Sequence, residues 1–466
     1  MPRPLLPPLL LALAACSSPP PPPSTLADGS PRPNILLIDI DSMRADRLLL
    51  ERDGRPVAPH LQALAAQGVR FEHAVSQAGW TQPALAALLS GRYPPAIEQR
   101  RDKKLTWLPE GTPSLPTILG WYGYHTAVVW GQTLPQAFPE LSKGFDEVYQ
   151  EPEGEAYAPG SFLDDWLDEH AEEPFFLMIH ELDLHCPRPP APDSWIAPWA
   201  EPLPRDEEPC LHGLMRRWGP QLPAAALQPR MIAHYDGGLA FYDDVLGGTL
   251  ARLEAAGKLA HTVVVLLSDH GQDLFEHGEI GHGMQWESVL RVPLVVLDPT
   301  HAAPGLVRDE VVQTVDIAPT LLALAGIPLD QQMVGRSLAP LLQPGEADWP
   351  GRPVWSLTDR EAASLQDGTW KMLSRRIPPG PHSGPHGEEM RQAWVRYELF
   401  DLAADPGERH DLADEDPRRA QELRRRLAAW VQERLAQGQG ASGLELGEEQ
   451  RRKLQEGGYW ERVRER

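Results

Sequence analysis

Short apolar runs that end in polar residues recur along this chain. Each run has five to seven residues, a length that predicts a buried strand. The runs are 34–40, which ends at Asp41; 125–130, which ends near Gln132; 175–179, which ends at His180, Asp183 and His185; 262–267, which ends at Asp269 and His270; and 292–297.

Helical patterns lie between these runs, at 58–67, 114–121 and 237–256. Buried strands that alternate with helices predict an α/β fold, in which helices sandwich a mostly parallel sheet. Ligands bind at the carboxyl ends of the strands in such folds. The polar residues at those ends are Asp41, His185, Asp269 and His270. The pattern therefore predicts one convergent site.

The pattern changes near residue 350. Short runs within 353–400, broken by a loop at 378–388, predict a small antiparallel sheet, and 416–435 predicts an amphipathic helix. The basic face of this helix contacts solvent in the simpler interpretation and a membrane or anionic partner in the other. The predicted units are an α/β domain at 34–345, a C-terminal subdomain at 346–435 and a charged tail at 436–466.

The N-terminus has a composition of its own. Arg3 precedes an apolar run at 5–15, and small residues lead to Cys16. This is typical of an export signal at 1–16 and resembles a bacterial lipobox, which implies that Cys16 becomes the lipidated first residue. Residues 17–33 predict a stiff Pro-rich linker. We expect a lipid-anchored protein of the bacterial cell envelope, periplasmic or on the outer-membrane surface; the alternative is an ordinary secreted protein.

Composition limits the partners. The chain has 466 residues, 42% of them hydrophobic, and a formal net charge of -23. This charge argues against nucleic acid as a partner, and it repels anionic substrates. An anion site must therefore be locally positive or hold a metal. Cys186 and Cys210 can pair in an oxidising compartment or remain separate thiols, and both alternatives stay open.

Thr81 lies where a helix is predicted to begin. Pro83 fits a first turn, residues 84–89 are apolar, and Gly91 is typical of a helix end. A hydroxyl at this place faces free backbone N–H groups and the positive end of the helix dipole, which suits a nucleophile that attacks an anionic ester. The simpler interpretation is an N-cap, a common use of threonine.

Asp41, Asp269 and His270 have the chemistry of metal ligands. Carboxylates and an imidazole at two strand ends can bind Ca²⁺, Mg²⁺, Mn²⁺ or Zn²⁺. The alternative is a helix cap at Asp41 and an ordinary turn at Asp269. With Thr81, these residues form a candidate four-ligand set for one divalent ion. Such an ion would lower the pKa of the hydroxyl and neutralise the charge of the ester.

Three further histidines are candidates for substrate chemistry. Glycines beside His277 and His282 let the backbone approach a ligand closely. A protonated imidazole can bind an ester oxygen or protonate a leaving group, although each histidine has a structural alternative. His185 and His282 are the candidate catalytic histidines, and His277 and Gln132 are candidate substrate contacts.

Six strings of the sequence resemble motifs of the sulfatase family, which belongs to the alkaline phosphatase superfamily. They occur in the family's order and span about residues 33–435. The strings are PNILLIDIDSMRAD, GWTQPALAALLSGRYP, FFLMIHELDLHCP, SDHGQDLFEHGEIGHG, VDIAPTLLALAGIP and YELFDLAADPGERHDLA. The resemblance implies an alkaline phosphatase-like fold, with the catalytic domain at 34–345.

The resemblance also implies residue roles. Asp41, Asp269 and His270 would hold the metal, which the family suggests is calcium, and His185 would lie beside the leaving group. His282 falls where many members have a lysine that contacts the ester oxygens. Ser42 falls where many have a second acidic ligand.

The chain departs from the family at Thr81. Sulfatases have a cysteine, or sometimes a serine, within C-x-P-S-R and convert it to formylglycine, whereas here Leu85 also replaces the arginine. The resemblance thus implies chemistry without formylglycine and favours phosphate or phosphodiester over sulfate. The first functional hypothesis is a hydrolase or transferase of a sulfate or phosphate ester, whose substrate is a glycan or a lipid. The second is an inactive relative that binds an anionic glycan or envelope component.

Overall fold

The computed structural model describes residues 25–26, 29–94, 112–131, 139–150, 160–170, 174–182, 184, 195, 198, 223–278, 280–299, 303–359, 362–377 and 394–438. The predicted export signal, Cys16, Cys186, Cys210 and the loop at 378–388 lie outside these ranges. Within them, none of the helices is both long enough and apolar enough to cross a membrane.

The α/β part contains thirteen described strands and seven helices. The strands are β1 (Asn34–Ile40), β2 (Glu51–Arg52), β3 (Arg55–Pro56), β4 (Val69–Val75), β5 (His125–Trp130), β6 (Glu147–Gln150), β7 (Phe175–Glu181), β8 (Thr262–Leu267), β9 (Asp273–Leu274), β10 (Ile280–Gly281), β11 (Arg291–Val292), β12 (Leu294–Leu297) and β13 (Val307–Gln313). The helices are α1 (Pro59–Gln67), α2 (Thr81–Ser90), α3 (Leu115–Trp121), α4 (Gly160–Glu169), α5 (Ala224–Ala255), α6 (Glu287–Leu290) and α7 (Ile317–Leu324). Short 3₁₀ helices lie at Ala45–Arg47, Pro139–Ser142, Leu259–His261, Thr314–Asp316 and Ala339–Leu342.

Nine of the described strands form one central sheet, in the order β11-β4-β12-β8-β1-β7-β5-β6 with β13 beside β4. The pairs β1–β7, β1–β8, β5–β6, β5–β7 and β4–β13 are parallel, whereas β11 and β12 run antiparallel to their neighbours. Both faces of β1 are buried, because successive side chains enter opposite cores. One core contains residues of α2, α3 and α7, and the other contains residues of α1, α4 and α5. The predicted α/β fold is confirmed.

Two elements extend beyond their predicted bounds. Helix α5 begins at Ala224 instead of 237 and includes Pro229, because Leu227 and Met231 pack into the core and offset the lost backbone hydrogen bond. Strand β7 continues to Glu181, so that His180 lies within the strand rather than after it.

The C-terminal part is the predicted antiparallel sheet with a helix. Its strands, in spatial order, are β14 (Val354–Asp359), β15 (Ala362–Asp367), β16 (Trp370–Ile377) and β17 (Trp394–Asp401), and α8 (Pro417–Gly438) packs on them. Helix α8 ends three residues later than predicted. Part of its basic face contacts the sheet, since Arg419 stacks on Trp370 with 3.7 Å between the guanidinium carbon and the ring centre.

The C-terminal sheet is joined to the α/β part by hydrogen bonds and a buried ionic cluster. Leu357 N donates to Gln77 O at 2.7 Å, and Gly79 N donates to Thr358 Oγ1 at 3.0 Å. In the cluster, Lys371 Nζ lies 2.7 Å from Glu287 Oε1 and 2.8 Å from Glu408 Oε1. The second sheet therefore holds the segment that leads into α2.

Candidate active site

The ends of two adjacent strands bring three candidate ligands together. Asp41 follows β1, Asp269 and His270 follow β8, and β1 and β8 pair in parallel. All three side chains are fully buried. His270 Nε2 lies 3.6 Å from Asp41 Oδ1 and 3.5 Å from Asp269 Oδ2. The carboxyl ends of these strands thus converge as the sequence predicts.

Thr81 completes the set from the N-terminus of α2. Its Oγ1 donates to Asp41 Oδ2 at 3.1 Å and lies 3.2 Å from His270 Nε2. The N-cap interpretation is wrong: Trp80 is the N-cap residue, and Thr81 is the first residue of the helix. The Thr81 hydroxyl instead contacts Asp41 and His270 at the strand ends.

Two glycines determine how the segment before α2 packs and where α2 ends. A Cβ on Gly79 would lie 2.3 Å from Met284 O, so only glycine allows the segment before α2 to pack against residues 283–284. This packing brings His282 beside His270, with 4.6 Å between ring centres. Gly91 ends α2 in the left-handed conformation, at φ 64°, as predicted.

Electrostatics favours a neutral His270 whose free nitrogen faces the set. Its Nδ1 donates to Gly271 O at 2.9 Å, so Nε2 carries the lone pair. Burial lowers the pKa of His270. Burial also raises the pKa of Asp269, and the charge of Asp41 raises it further. The carboxylates therefore need a cation to remain ionised together.

The residues present fit a divalent metal. Asp41, Asp269 and His270 offer ligand atoms that all lie within 4.8 Å of one another. Asp269 Oδ2 is buried and has no hydrogen-bond partner among the described residues. Two carboxylates, an imidazole and a hydroxyl form a donor set that suits several divalent ions and does not select one.

Ser42 and Tyr235 hold Asp41 in place. Ser42 has φ 65°, a left-handed conformation that is strained for serine, and its Oγ donates to Asp41 Oδ1 at 2.8 Å. Tyr235 Oη donates to Ser42 O at 2.8 Å. Ser42, which falls where many sulfatases have a second acidic ligand, thus provides a hydroxyl that orients the Asp41 carboxylate.

Three other predicted site residues lie apart from this set or outside the described ranges. His185 and Gln132 are outside them. His277 Nδ1 lies 2.5 Å from Asp273 Oδ2, its Nε2 donates to Gly407 O at 3.1 Å, and its ring stacks on Trp286. The described contacts of His277 therefore connect it to the C-terminal part, and substrate contact by this residue stays a prediction.

Asp39 and His180 are buried polar residues near the set that the sequence analysis did not name as candidate ligands. Asp39 pairs with His180 across β1 and β7, and both are buried beneath Asp41. The signal was present in the sequence, because Asp39 and Asp41 share one face of β1 by the two-residue period of a strand.

Comparison with known proteins assigns the family. A sequence model described as Sulfatase matches residues 33–327. The chain belongs to the sulfatase family. This family is metal-dependent and lies within the alkaline phosphatase superfamily, which agrees with the ligand set described above.

Relatives of this sulfatase-family protein match most of its length. Arylsulfatase K of Xenopus laevis is 24% identical and covers 87% of this chain and 84% of its own. The multifunctional alkaline phosphatase superfamily protein PehA of Trinickia caryophylli is 27% identical and covers 82% of this chain and 91% of its own. The structure of the phosphonate monoester hydrolase SpPMH from Silicibacter pomeroyi superposes with a TM-score of 0.62 at 23% identity, covering 87% of this chain and 96% of that one. This structure supports the fold alone.

Proposed function

We propose that this protein is a metal-dependent hydrolase of sulfate or phosphate esters in which Thr81 is both nucleophile and metal ligand. The observation that carries the proposal is the position of Thr81 Oγ1, 3.1 Å from Asp41 Oδ2 and 3.2 Å from His270 Nε2. Asp41, Asp269 and His270 would hold one divalent ion with Thr81. The family favours Ca²⁺, and the donor set also admits Zn²⁺, Mn²⁺ or Mg²⁺.

A divalent ion held by Asp41, Asp269 and His270 would lower the pKa of the Thr81 hydroxyl and neutralise charge on the ester. Thr81 gives up its hydroxyl proton to solvent, and its Oγ attacks the sulfur or phosphorus atom while the bond to the leaving alcohol breaks. Free N–H groups of the first turn of α2 face the developing charge on the ester oxygens. Water hydrolyses the threonine ester in a second step, which releases sulfate or phosphate and restores the hydroxyl.

A histidine supplies the proton to the leaving alcohol. His282 is half-buried, and its ring lies 4.6 Å from that of His270. It is therefore close to Thr81 and accessible to a substrate. His185, which the family resemblance places beside the leaving group, is the other candidate for this role.

The proposed chemistry does not use formylglycine. Threonine is not a substrate of that conversion, and the fully buried Leu85 stands where the family has its supporting arginine. A threonine ester is released by attack of water on sulfur or phosphorus, which favours phosphate and phosphodiester substrates. The names of the curated relatives, an arylsulfatase and a multifunctional alkaline phosphatase superfamily protein, support ester chemistry of both kinds.

A panel of esters tests the proposal. Aryl sulfate, phosphate, phosphodiester and phosphonate esters are assayed with Ca²⁺, Mg²⁺, Mn²⁺ and Zn²⁺. We expect turnover of at least one ester and a loss of kcat on the order of 10³-fold or more in Thr81→Ala. Thr249→Ala is the matched control, because Thr249 is also buried but donates to Val245 O within α5. Full activity in Thr81→Ala would contradict the proposed role of Thr81 as the nucleophile.

A second candidate function is binding without turnover. The apolar Leu85 in place of an arginine favours it, because the family's arginine supports the formylglycine that this chain lacks. A protein of this kind would bind an anionic glycan or another envelope component in the same pocket. Metal binding together with no turnover of any ester in the panel would support this alternative.

We also propose that the protein is anchored to the bacterial cell envelope through a lipid on Cys16. The apolar run at 5–15 and the small residues before Cys16 support this. Expression in a bacterial host with a radiolabelled fatty acid tests it. The label should enter the wild type and be absent from Cys16→Ser; equal labelling of both would contradict the anchor.

A further inference from the structure

A second group of possible metal ligands lies directly beneath the first. Asp39, His180 and Asp269 are fully buried, and their ligand atoms lie within 4.8 Å of one another. Asp39 precedes Asp41 by two residues on β1 and therefore shares its face, and His180 is its partner on β7. His180 Nε2 lies 3.6 Å from Asp39 Oδ2 and 3.9 Å from Asp41 Oδ2.

The separation of 3.6 Å between His180 Nε2 and Asp39 Oδ2 suits ligands of a common ion. Ligand atoms at about 2.0–2.2 Å from a tetrahedral zinc ion lie roughly 3.3–3.6 Å apart. Two carboxylates and an imidazole admit zinc or a similar transition metal and suit calcium less well, because calcium prefers six or more oxygens. The Trp130 ring packs 5.4 Å from the His180 ring and limits access of water to this pocket.

The Asp39 carboxylate lacks side-chain hydrogen bonds. Among the described residues, no side chain donates a hydrogen bond to either of its oxygens, although His180 Nε2 faces Oδ2 at 3.6 Å and the backbone of Asp269 contributes a hydrogen bond. A buried ionised carboxylate without hydrogen bonds costs several kcal/mol, and such groups in proteins are paired or bind metals. The arrangement therefore points to a ligand that the side chains alone do not supply.

The net charge of the pocket also favours a second metal ion. Asp39, Asp41 and Asp269 bring three buried carboxylates to one pocket. With one divalent ion, the ionised group has a net charge of −1, and with two ions it has +1. In a chain whose formal net charge is -23, a positive pocket is what an anionic ester requires.

We propose that this protein binds a second divalent transition-metal ion through Asp39, His180 and Asp269, with Asp269 bridging the two ions. Carboxylate-bridged ions in such pairs lie about 3.5–4 Å apart. The inference rests on the proposed function in one respect, because Asp269 is shared with the ion beside Thr81.

Metal stoichiometry tests the second site. The protein is stripped with a chelator and reloaded with Zn²⁺ or Mn²⁺, and bound metal is counted by elemental analysis. We expect two equivalents in the wild type, one in Asp39→Asn, one in Asp41→Asn and none in Asp269→Asn. Asp243→Asn is the control, because this buried carboxylate accepts hydrogen bonds from His60 N and Leu61 N outside the site. This variant should still bind two equivalents of metal.

A spectroscopic measurement keeps the test independent of how well a variant folds. Two Mn²⁺ ions bridged by one carboxylate are magnetically coupled, so we expect the loaded wild type to give the broad electron paramagnetic resonance signal of a coupled pair. One equivalent with an uncoupled six-line signal would overturn the proposal. Because neither readout needs turnover, failure of the proposed hydrolase function leaves this result interpretable.

Discussion

At the scale of single residues, Ser42 connects backbone strain to the candidate metal site. Its left-handed backbone turns the chain sharply after β1, and its hydroxyl binds the Asp41 carboxylate. A hydrogen bond to a metal ligand typically changes metal affinity 10–100-fold when it is removed. Serine is kept in this strained conformation by the contact with Tyr235 and by complete burial.

Ser42→Ala should weaken binding of the divalent ion by about 10–100-fold, because Asp41 loses the donor that orients it. Calorimetric titration of the stripped protein with Zn²⁺ measures the loss. Ser42→Gly separates strain from hydrogen bonding, since glycine accepts the left-handed conformation but also lacks the hydroxyl. We expect equal affinity loss in both variants, with higher Tm in Ser42→Gly; unchanged affinity in Ser42→Ala would contradict the role.

His277 gives a pH prediction. Burial lowers its pKa, but the hydrogen bond to Asp273 and the charge of that carboxylate outweigh burial and raise the pKa overall. Its contribution to stability is therefore complete below the unfolded pKa of about 6.5 and is lost as the pH rises through the higher folded value. The Tm difference between wild type and His277→Gln should shrink from about pH 6 to about pH 9. A constant Tm difference together with a raised KM would instead support substrate contact.

The residues of the site were predictable to different degrees. Asp41, Asp269 and His270 follow apolar runs, so the strand period and the strand ends located them. The direction of the Thr81 hydroxyl was not predictable, because one residue of shift at a helix start decides between a cap and a free side chain. Asp39 and His180 lie inside strands, where the pattern of apolar residues predicts packing rather than chemistry.

At the scale of elements, strands were located better than helix boundaries. Strands of the sheet are buried on both faces, and continuous apolar runs therefore mark them. Helix α5 begins thirteen residues before its predicted start, because tertiary packing keeps Pro229 inside the helix. The end of α2 at Gly91 was predictable, since its left-handed conformation favours glycine.

Gly91→Ala should destabilise the protein by more than the cost of the left-handed conformation, which is about 1–2 kcal/mol for a residue with a side chain. A Cβ at Gly91 would also lie 3.0 Å from the Met333 side chain. Urea unfolding measures the free energy of each variant. Gly257→Ala is the matched control, with φ 68° and open space around it. Equal losses of unfolding free energy in the two variants would show that the Met333 side chain moves aside without destabilising the protein.

At the scale of the whole molecule, an ionic cluster around the buried Lys371 joins the C-terminal sheet to the α/β part. Lys371 is almost fully buried, between Glu287 of α6 and Glu408. Burial first, and then the charge of Glu287, raises the pKa of Glu408 to about 7. Removal of one partner from such a cluster leaves uncompensated buried charge.

Lys371→Met should therefore lower the free energy of unfolding by about 3–5 kcal/mol. Arg426→Met is the control, because its pair with Asp367 is partly exposed and should contribute less than about 1 kcal/mol. Denaturant unfolding at neutral pH compares the two. Similar losses would mean that Glu287 and Glu408 find other partners when Lys371 is removed.

The contact between β14 and the segment before α2 makes the site depend on both halves of the chain. Gly79 lies two residues before Thr81 and donates to Thr358 on β14. An exchange of C-terminal subdomains between relatives would therefore also exchange a contact that supports the segment before Thr81. Substitutions in β14 can therefore change the setting of α2 while the sequence of the α/β domain stays the same.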